Sequence, residues 1–518
     1  MSLADHLVKA LGPSLVTVEP DDLQYYSMDM YSSGEAPVAV VLPTNVDELS
    51  EGVRVTTSNG GVVVPRGGGI SYTGGVVPSA NQSVVVDMSR MNRVLDVAER
   101  DMYVTVEAGC TWGHLRDTLE ADGLRTPFWG PLSGNYATVG GSVSQGAVLW
   151  GSSRFGTSSE SVLGLEVVVA DGSLLTTGMG SIEGARPGWR HFGPDLTGIF
   201  LGDTGALGAK ATVTLRLMRT PKAAGFASFL FDDRCALMEA MAEVARDGLI
   251  VAGFALDPVL TDQRIRRGSL AQGAEAVRSM IGGSKNKLKA LKDAARIVAK
   301  GRGFVGDDGY TLHLIAEGRS DSAVEHDLRE IRRICSAGSA MDETVPRLLY
   351  TRPFGSLTSA LGPEGQRWAP LHVLIPLSLG TAVWDATDDL VRRYRDRMDD
   401  LDVEVGFMAS TVSTTTVLLE AVVTWPGPRT MFYERNIDHG KLRRFPEHAR
   451  SPEAEDLVGE MRDALVALFA DVGGAHFQIG SRYSYLDRLD PATRALLMSV
   501  KRAVDPDNVM NPGALGIG

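Results

Sequence analysis

GVVVPRGGGISYTGGVVPSANQSVVVD, residues 61–87, decides how the rest of the chain is read. Val62-Val63-Val64 is a β-branched run and reads as a short buried strand; Val84-Val85-Val86-Asp87 reads as a second. Between them, five glycines (Gly67, Gly68, Gly69, Gly74, Gly75) fall within nine residues. Glycine costs backbone entropy, so such a density marks positive φ or something lying close against the main chain. Successive exposed N–H groups in a turn make a concave anion site, to which Ser71 can add a hydroxyl. Its natural occupant is a diphosphate. The dinucleotide fingerprint G-x-G-x-x-G fails, because its last place is Tyr72 and no helix is predicted to follow. The P-loop pattern fails for want of Gly-Lys-Ser/Thr. The bland alternative is a glycine-rich hairpin without a ligand.

The remaining composition narrows the class. The 518 residues suggest roughly two to four domains. Hydrophobic content of 44% and charged content of 22% allow a large core. A net charge of −13 argues against a nucleic-acid or anionic-membrane surface. No apolar run reaches the ~18 residues of a membrane span, and the beginning MSLADHLVKALGPSLV has no export signal. Cys110, Cys235 and Cys335 are far apart without C-x-x-C spacing, which fits a reducing compartment and offers no zinc or disulfide framework. The expected setting is cytoplasmic.

Outward from the glycine stretch, short strands and helices alternate. Residues 39–43 form a strand stopped by Pro43, and Asn45 caps a helix through about Thr57. Tyr103–Glu107 is another strand, and Thr111 opens an amphipathic helix ending at Gly123. From Pro131 to Gly172 small residues dominate, leaving room for a ligand against the backbone, and Asp171-Gly172 closes a hairpin. Leu201–Gly208 is a third glycine-punctuated loop, leading into a strand at 211–217. Three such loops suggest one long ligand threaded past each. After Pro221 a second α+β unit with a mostly antiparallel sheet is predicted, interrupted by a basic helical insert at about 262–302. Its helices are expected at 234–247, 321–336, 383–398 and 452–471, and a final helix at 491–504 precedes Asp505-Pro506-Asp507.

Three blocks together carry a resemblance: Pro65-Arg66-Gly67-Gly68-Gly69-Ile70-Ser71, Ala137-Thr138-Val139-Gly140-Gly141-Ser142, and Val504-Asp505-Pro506 with Asn511-Pro512-Gly513. In this order they resemble the FAD-binding oxidoreductases of the vanillyl-alcohol oxidase / p-cresol methylhydroxylase superfamily. The resemblance implies an α+β fold: a two-part FAD-binding domain at 1–221, a cap domain with a large, mostly antiparallel sheet at 222–475, and a segment at 476–518 returning to the flavin. It implies that Pro65, Arg66, Gly67, Gly68, Gly69, Ile70, Ser71 and Gly74 surround the diphosphate. Pro131, Thr138, Gly140, Gly141, Ser142, Arg154, Phe155 and Gly156 would line the ribityl chain and ring. Val162 and the loop from Gly205 to Gly208 would flank the adenine, and Asn511 would return to the flavin. Relatives that bond the flavin use a histidine in the glycine loop, where Ile70 stands here, so FAD is expected to be dissociable.

The same resemblance divides over the substrate. Relatives that oxidise 2-hydroxy acids carry a His/Asp metal cluster and a Glu-His-Gly; the matching places here are Ser413–Leu419 and His476–Gly480, so no metal is expected. Relatives that oxidise 4-alkylphenols bind the phenolate with a Tyr-Arg pair, matched here by Phe477 and Gln478. Arg352, Arg482, Tyr483 and Tyr350 are candidate replacements, arginine as anion clamp and tyrosine as proton donor or acceptor. The expectation is an FAD-dependent oxidation of a small-molecule alcohol or benzylic carbon by hydride transfer, leaning to 4-hydroxybenzyl alcohols. The alternatives are a 2-hydroxy-acid dehydrogenase or a non-redox flavin scaffold. Oxygen or a carrier would reoxidise the flavin, and a homodimer is common among relatives.

Overall fold

The computed structural model describes residues 1–267 and 309–518. Most of the basic insert expected at 262–302 lies outside the described residues; its first part belongs to the helix Pro258–Arg267.

Three sheets carry the molecule. The first has four strands in the order Val16–Thr17, Ala39–Val41, Ser83–Asp87, Val62–Arg66. The strands flanking the glycine stretch are neighbours and run parallel, with Val63 opposite Val84 and Val64 opposite Val85. A hairpin joins antiparallel strands, so the bland alternative is excluded: the chain must cross back through residues 67–82 without a helix. Both strands are buried, which is why they read as continuous valine runs rather than alternating ones. The helix Val46–Ser58 packs on this sheet, its first turn held by the Asn45 side chain accepting from the Glu48 N–H.

The second sheet has five antiparallel strands in the order Val94–Ala98, Tyr103–Glu107, Ala209–Arg216, Val162–Val168, Leu174–Thr176. Its core gathers Val104, Val106, Leu165, Val167, Val213 and Leu215 with Trp112 and Phe128.

The third sheet is the largest, seven strands all paired antiparallel, from Ser339–Ala340 at one edge to Arg367–Pro376 at the other. Ala223–Phe231 and Ala252–Leu256 both pair antiparallel with Tyr310–Gly318, which lies between them, so the two run parallel to each other and form a split βαβ unit around the helix Arg234–Arg246. The helix Pro452–Asp471 covers this sheet with Leu457, Val458, Met461, Leu465 and Phe469. Each such side chain contributes about 1.5–3 kcal/mol on burial. The helix expected at 383–398 is two, Gly380–Arg392 and Arg395–Asp400. Among the described residues no helix is long and apolar enough to cross a membrane.

Candidate functional site

Between the two smaller sheets runs a cleft of about 880 Å³. Its wall is built from the glycine stretch (Pro65 to Ser71, Gly75, Val76), from Pro131 to Ala147, and from the loop Thr204 to Gly208. The three small-residue loops singled out from sequence thus meet on one cleft. Pro65, Arg66, Gly67, Gly68, Gly69, Ile70, Ser71, Pro131, Thr138, Gly140, Gly141, Ser142, Gly205, Gly208 and Gln478 all line it.

Sterics explain why these positions are bare. A Cβ on Gly140 would lie 2.8 Å from the Ala108 carbonyl oxygen, and one on Gly68 only 2.2 Å from that of Tyr136. The Thr138 hydroxyl accepts from the Gly141 N–H and starts the short helix Val139–Gln145. Trp112 Nε1 donates to Ser142 Oγ at 2.8 Å, fixing that hydroxyl from behind.

The N-terminal segment braces the glycine loop from below. Arg66 curls under its own loop, and its Nη1 donates to the Met28 carbonyl at 2.7 Å. Its guanidinium packs over the rings of Tyr25 and Tyr26. The Met30 N–H donates to the Ser71 carbonyl, and Asp29 accepts from the N–H groups of Tyr31, Ser32 and Gly74. Burial pushes the Asp29 carboxyl above the usual range despite these bonds and the nearby Arg66. Residues 1–35 read as helical and then irregular, and nothing in their composition announced this brace.

The C-terminal segment closes the cleft from the side. Lys501 is buried and donates to Asp505 Oδ2 (2.5 Å) and to the carbonyls of Ala206 (2.7 Å) and Met510 (3.1 Å). Asp505 in turn accepts from the N–H groups of Val509 and Met510. Asn511 does not line the cleft; its Nδ2 donates to the carbonyls of Gly75 (2.8 Å) and Thr204 (2.7 Å), joining two of the cleft's loops.

Several expected positions lie elsewhere. Gly74 is absent from the lining, its N–H spent on Asp29. Val162 is a core residue of the five-stranded sheet opposite Leu215. Arg154 points away to the carbonyls of Glu317 and Gly248, Phe155 packs with Trp129, Trp150 and Phe226, and Gly156 lies against Glu160. Tyr350 donates to Glu317, which also holds Arg125 in a two-pronged pair, so this tyrosine sits in the seam between the sheets rather than at the cleft. Arg352 is exposed. Arg482 pairs with Asp463 at 2.8 Å. Only Gln478 among the five candidate catalytic residues lines the cleft; its φ is +50° and its N–H donates to the Gln145 carbonyl at 2.6 Å.

Beside Gln478 the large sheet and the glycine loop enclose a polar nest. Tyr72 has Gln478, Glu420, Tyr483 and Arg462 for neighbours and meets the His372 ring edge-on at 6.2 Å. The Tyr483 hydroxyl accepts from the His372 N–H at 3.0 Å, and its ring stacks on His476 at 3.9 Å. Burial pushes the Tyr483 phenol up to about 12. His372 Nε2 donates to the Phe477 carbonyl, leaving Nδ1 without a partner, and burial lowers this imidazole to about 3. Arg462, 1% exposed, lies 3.7 Å over the Tyr31 ring and donates from Nη2 to the Tyr72 carbonyl, while its Nε and Nη1 have no partner. Sequence reading passed over it, although it stands on the apolar stripe of its helix between Val458 and Leu465. A cation on such a stripe is the detectable signal.

The cleft fits a flavin dinucleotide in its charges. Its charged lining residues are Arg66 and Lys210, both cations, and Arg66 Nη2 is buried without a partner. Lys210 is already paired with Asp203, so the phosphates of a dinucleotide bring charge that faces Arg66. Among the described residues no group of His, Cys, Asp and Glu could hold a metal ion.

Comparison with known proteins agrees. Residues 37–178 match the FAD binding domain and residues 442–515 the C-terminal domain of FAD linked oxidases. The glycolate oxidase subunit GlcD of Bacillus subtilis is 26% identical over 99% of this chain and 96% of its own length. The cytochrome D-lactate dehydrogenase 1 of Saccharomyces cerevisiae is 30% identical over 40% of this chain and 34% of its own. The solved structure of p-cresol methylhydroxylase with substrate bound superposes with a TM-score of 0.73 at 19% identity, covering 99% of this chain and 96% of that one. With its glycine-loop cleft and these two domain matches, the chain carries the FAD binding domain and the C-terminal domain of FAD linked oxidases, shares its fold with p-cresol methylhydroxylase, and is an FAD-dependent oxidoreductase.

Proposed function

We propose that this enzyme oxidises a 2-hydroxy carboxylic acid to the 2-oxo acid. The observation that carries the reading is Arg462. A buried guanidinium with two nitrogens left without hydrogen-bond partners costs several kcal/mol, which an anionic ligand offsets. Among the described residues no other arginine keeps two buried N–H nitrogens unpaired. The end-to-end likeness to a glycolate oxidase subunit supports this over the aromatic-alcohol expectation, for which the likeness at 19% identity carries the fold alone.

In this reading Arg462 binds the substrate carboxylate, and Tyr72 and Gln478 enclose the carbinol. When bound, FAD supplies the two-electron acceptor for the hydride leaving C2. The hydroxyl proton goes to Nδ1 of His372, whose Nε2–H is already spent on the Phe477 carbonyl. An imidazole held at about 3 is a poor base alone, but a carboxylate arriving beside it favours the imidazolium and raises it toward neutrality. A glycine-loop histidine that could bond the flavin is missing, Ile70 standing on the cleft wall, so the FAD is dissociable and stays in the supernatant as free flavin when the protein is acid-precipitated.

Anaerobic mixing of the FAD-loaded enzyme with glycolate, D- and L-lactate, D-2-hydroxyglutarate and 4-hydroxybenzyl alcohol tests the assignment. Bleaching of the flavin band by a hydroxy acid supports it. Bleaching by the aryl alcohol alone overturns it.

A further inference from the structure

Lys210 stands on the strand Ala209–Arg216 and is 4% exposed, yet it forms part of the cleft wall. Its ammonium pairs with Asp203, its only hydrogen-bond partner among the described residues. Asp203 is fully engaged, accepting also from the N–H groups of Gly205 and Leu207. An ammonium has three donors, and a buried one left with unmade bonds is costly. The open space next to it is the cleft.

Hydrogen bonds fix where along the cleft Lys210 lies. The Ala108 N–H donates to the carbonyl of Ala211, the residue after Lys210, and the Gly140 N–H donates to the Ala108 carbonyl. Ala108 and Gly140, with Met88 and Gly208, line the cleft beside Lys210. Elsewhere on the wall Gln478 meets Gln145, under the nest at the large sheet. The glycine loop, with Arg66, lies between. A dinucleotide laid with its flavin ring toward Gln478 and its phosphates on the glycine loop places its adenosine at Lys210; the inference rests on that orientation.

We propose that Lys210, held in place by Asp203, is a ligand to the adenylate half of FAD and sets the preference for FAD over FMN. The adenine nitrogens and the ribose hydroxyls are the acceptors available to it. Asp203 is the positioning residue: it ties the loop 203–208 to the lysine and aims the remaining donors into the cleft.

The test uses apoprotein and three probes, FAD, FMN and ADP, with affinities read by flavin fluorescence quenching and, for ADP, by calorimetry. Lys210→Met should weaken FAD and ADP by about tenfold or more, the worth of one charge-assisted hydrogen bond, while FMN is unchanged. Because Lys210→Met strands a buried carboxylate, the double variant Lys210→Met/Asp203→Asn is measured beside it, with apoprotein melting temperature recorded for both. The double variant, which leaves no unpaired charge, should show the same selective loss. Equal weakening of FAD and FMN overturns the adenylate assignment. Unchanged affinity for FAD and ADP in the double variant overturns the contact altogether. Neither outcome depends on which alcohol the enzyme oxidises.

Discussion

Asp29 Oδ2 accepts the Gly74 N–H at 2.8 Å, so a carboxylate 45 positions upstream fixes the far end of the glycine loop. Asp29→Ala leaves three backbone N–H groups without their acceptor. A loss of about 2–4 kcal/mol in urea unfolding is expected, with weaker FAD binding. Asp29→Asn keeps an acceptor and should lose far less. An alanine variant of unchanged stability would show that the brace does not hold the loop.

The seam between the second and third sheets depends on Arg125 and Glu317, bonded at 2.6 and 2.5 Å with Glu317 fully buried. Glu317→Gln should cost about 3–5 kcal/mol, since it strands a guanidinium. Adding Arg125→Met should recover part of this, and a double-mutant cycle measures how much. Tyr350→Phe removes one hydroxyl from the same carboxylate and should cost only about 1 kcal/mol. Flavin reduction should be unaffected; a slowed rate at full stability would return Tyr350 to the chemistry.

Arg462→Met separates substrate binding from folding. The variant should retain FAD and be no less stable than the parent, because it removes a buried cation with two unpaired nitrogens. Flavin reduction by hydroxy acids should fall by about a hundredfold or more, matching roughly 3 kcal/mol lost from a charged contact. Arg482→Met, by contrast, breaks only a pair with the exposed Asp463 and should change the rate by less than about threefold. The opposite ranking would exchange the two arginines' roles.

Stability should depend on pH through Asp257. Its carboxyl accepts the Leu260 N–H at the start of the helix Pro258–Arg267, but burial outweighs that bond and pushes it up to about 7. The folded state then holds a proton that the unfolded chain releases near the usual 3.8. Stability from this group is complete below that value and falls as pH rises to about 7, after which the penalty is constant. Asp257→Asn keeps the acceptor and removes the proton. Its advantage over the parent should grow between pH 4 and 7 to the order of a few kcal/mol, then level off. Denaturant midpoints measured across that range check the shape; a constant offset would refute it.

What was legible from the residues was whatever depends on local spacing. Val62–Val64 and Val84–Val86 read as buried strands because a parallel pair covered on both faces needs no alternation. The helices Pro452–Asp471 and Pro491–Val504 announce themselves through Ser451-Pro452 and Asp490-Pro491 starts. Contacts made across long separations were not legible. Arg154 was assigned to the flavin and Tyr350 to the substrate, yet both converge on Glu317, a residue of a different strand. Asp203 and Lys210 lie seven residues apart, and their pairing was passed over although a lysine inside the run from Ala209 to Leu217 needs a buried partner. Arg482 and Tyr483 drew notice beside the C-terminal motif, while the guanidinium enclosed in the nest, Arg462, came from a helix read only as a helix.

The tie from Asn511 to Gly75 and Thr204, with Lys501 anchoring the segment, has a temporal consequence. A nascent chain that has delivered every strand of the first two sheets still lacks the residues that knit their loops together. Cofactor loading must therefore wait until residues 501–511 have joined the cleft. Until then the loops bearing Gly75 and Thr204 lack their shared tie, and the cleft is only half built.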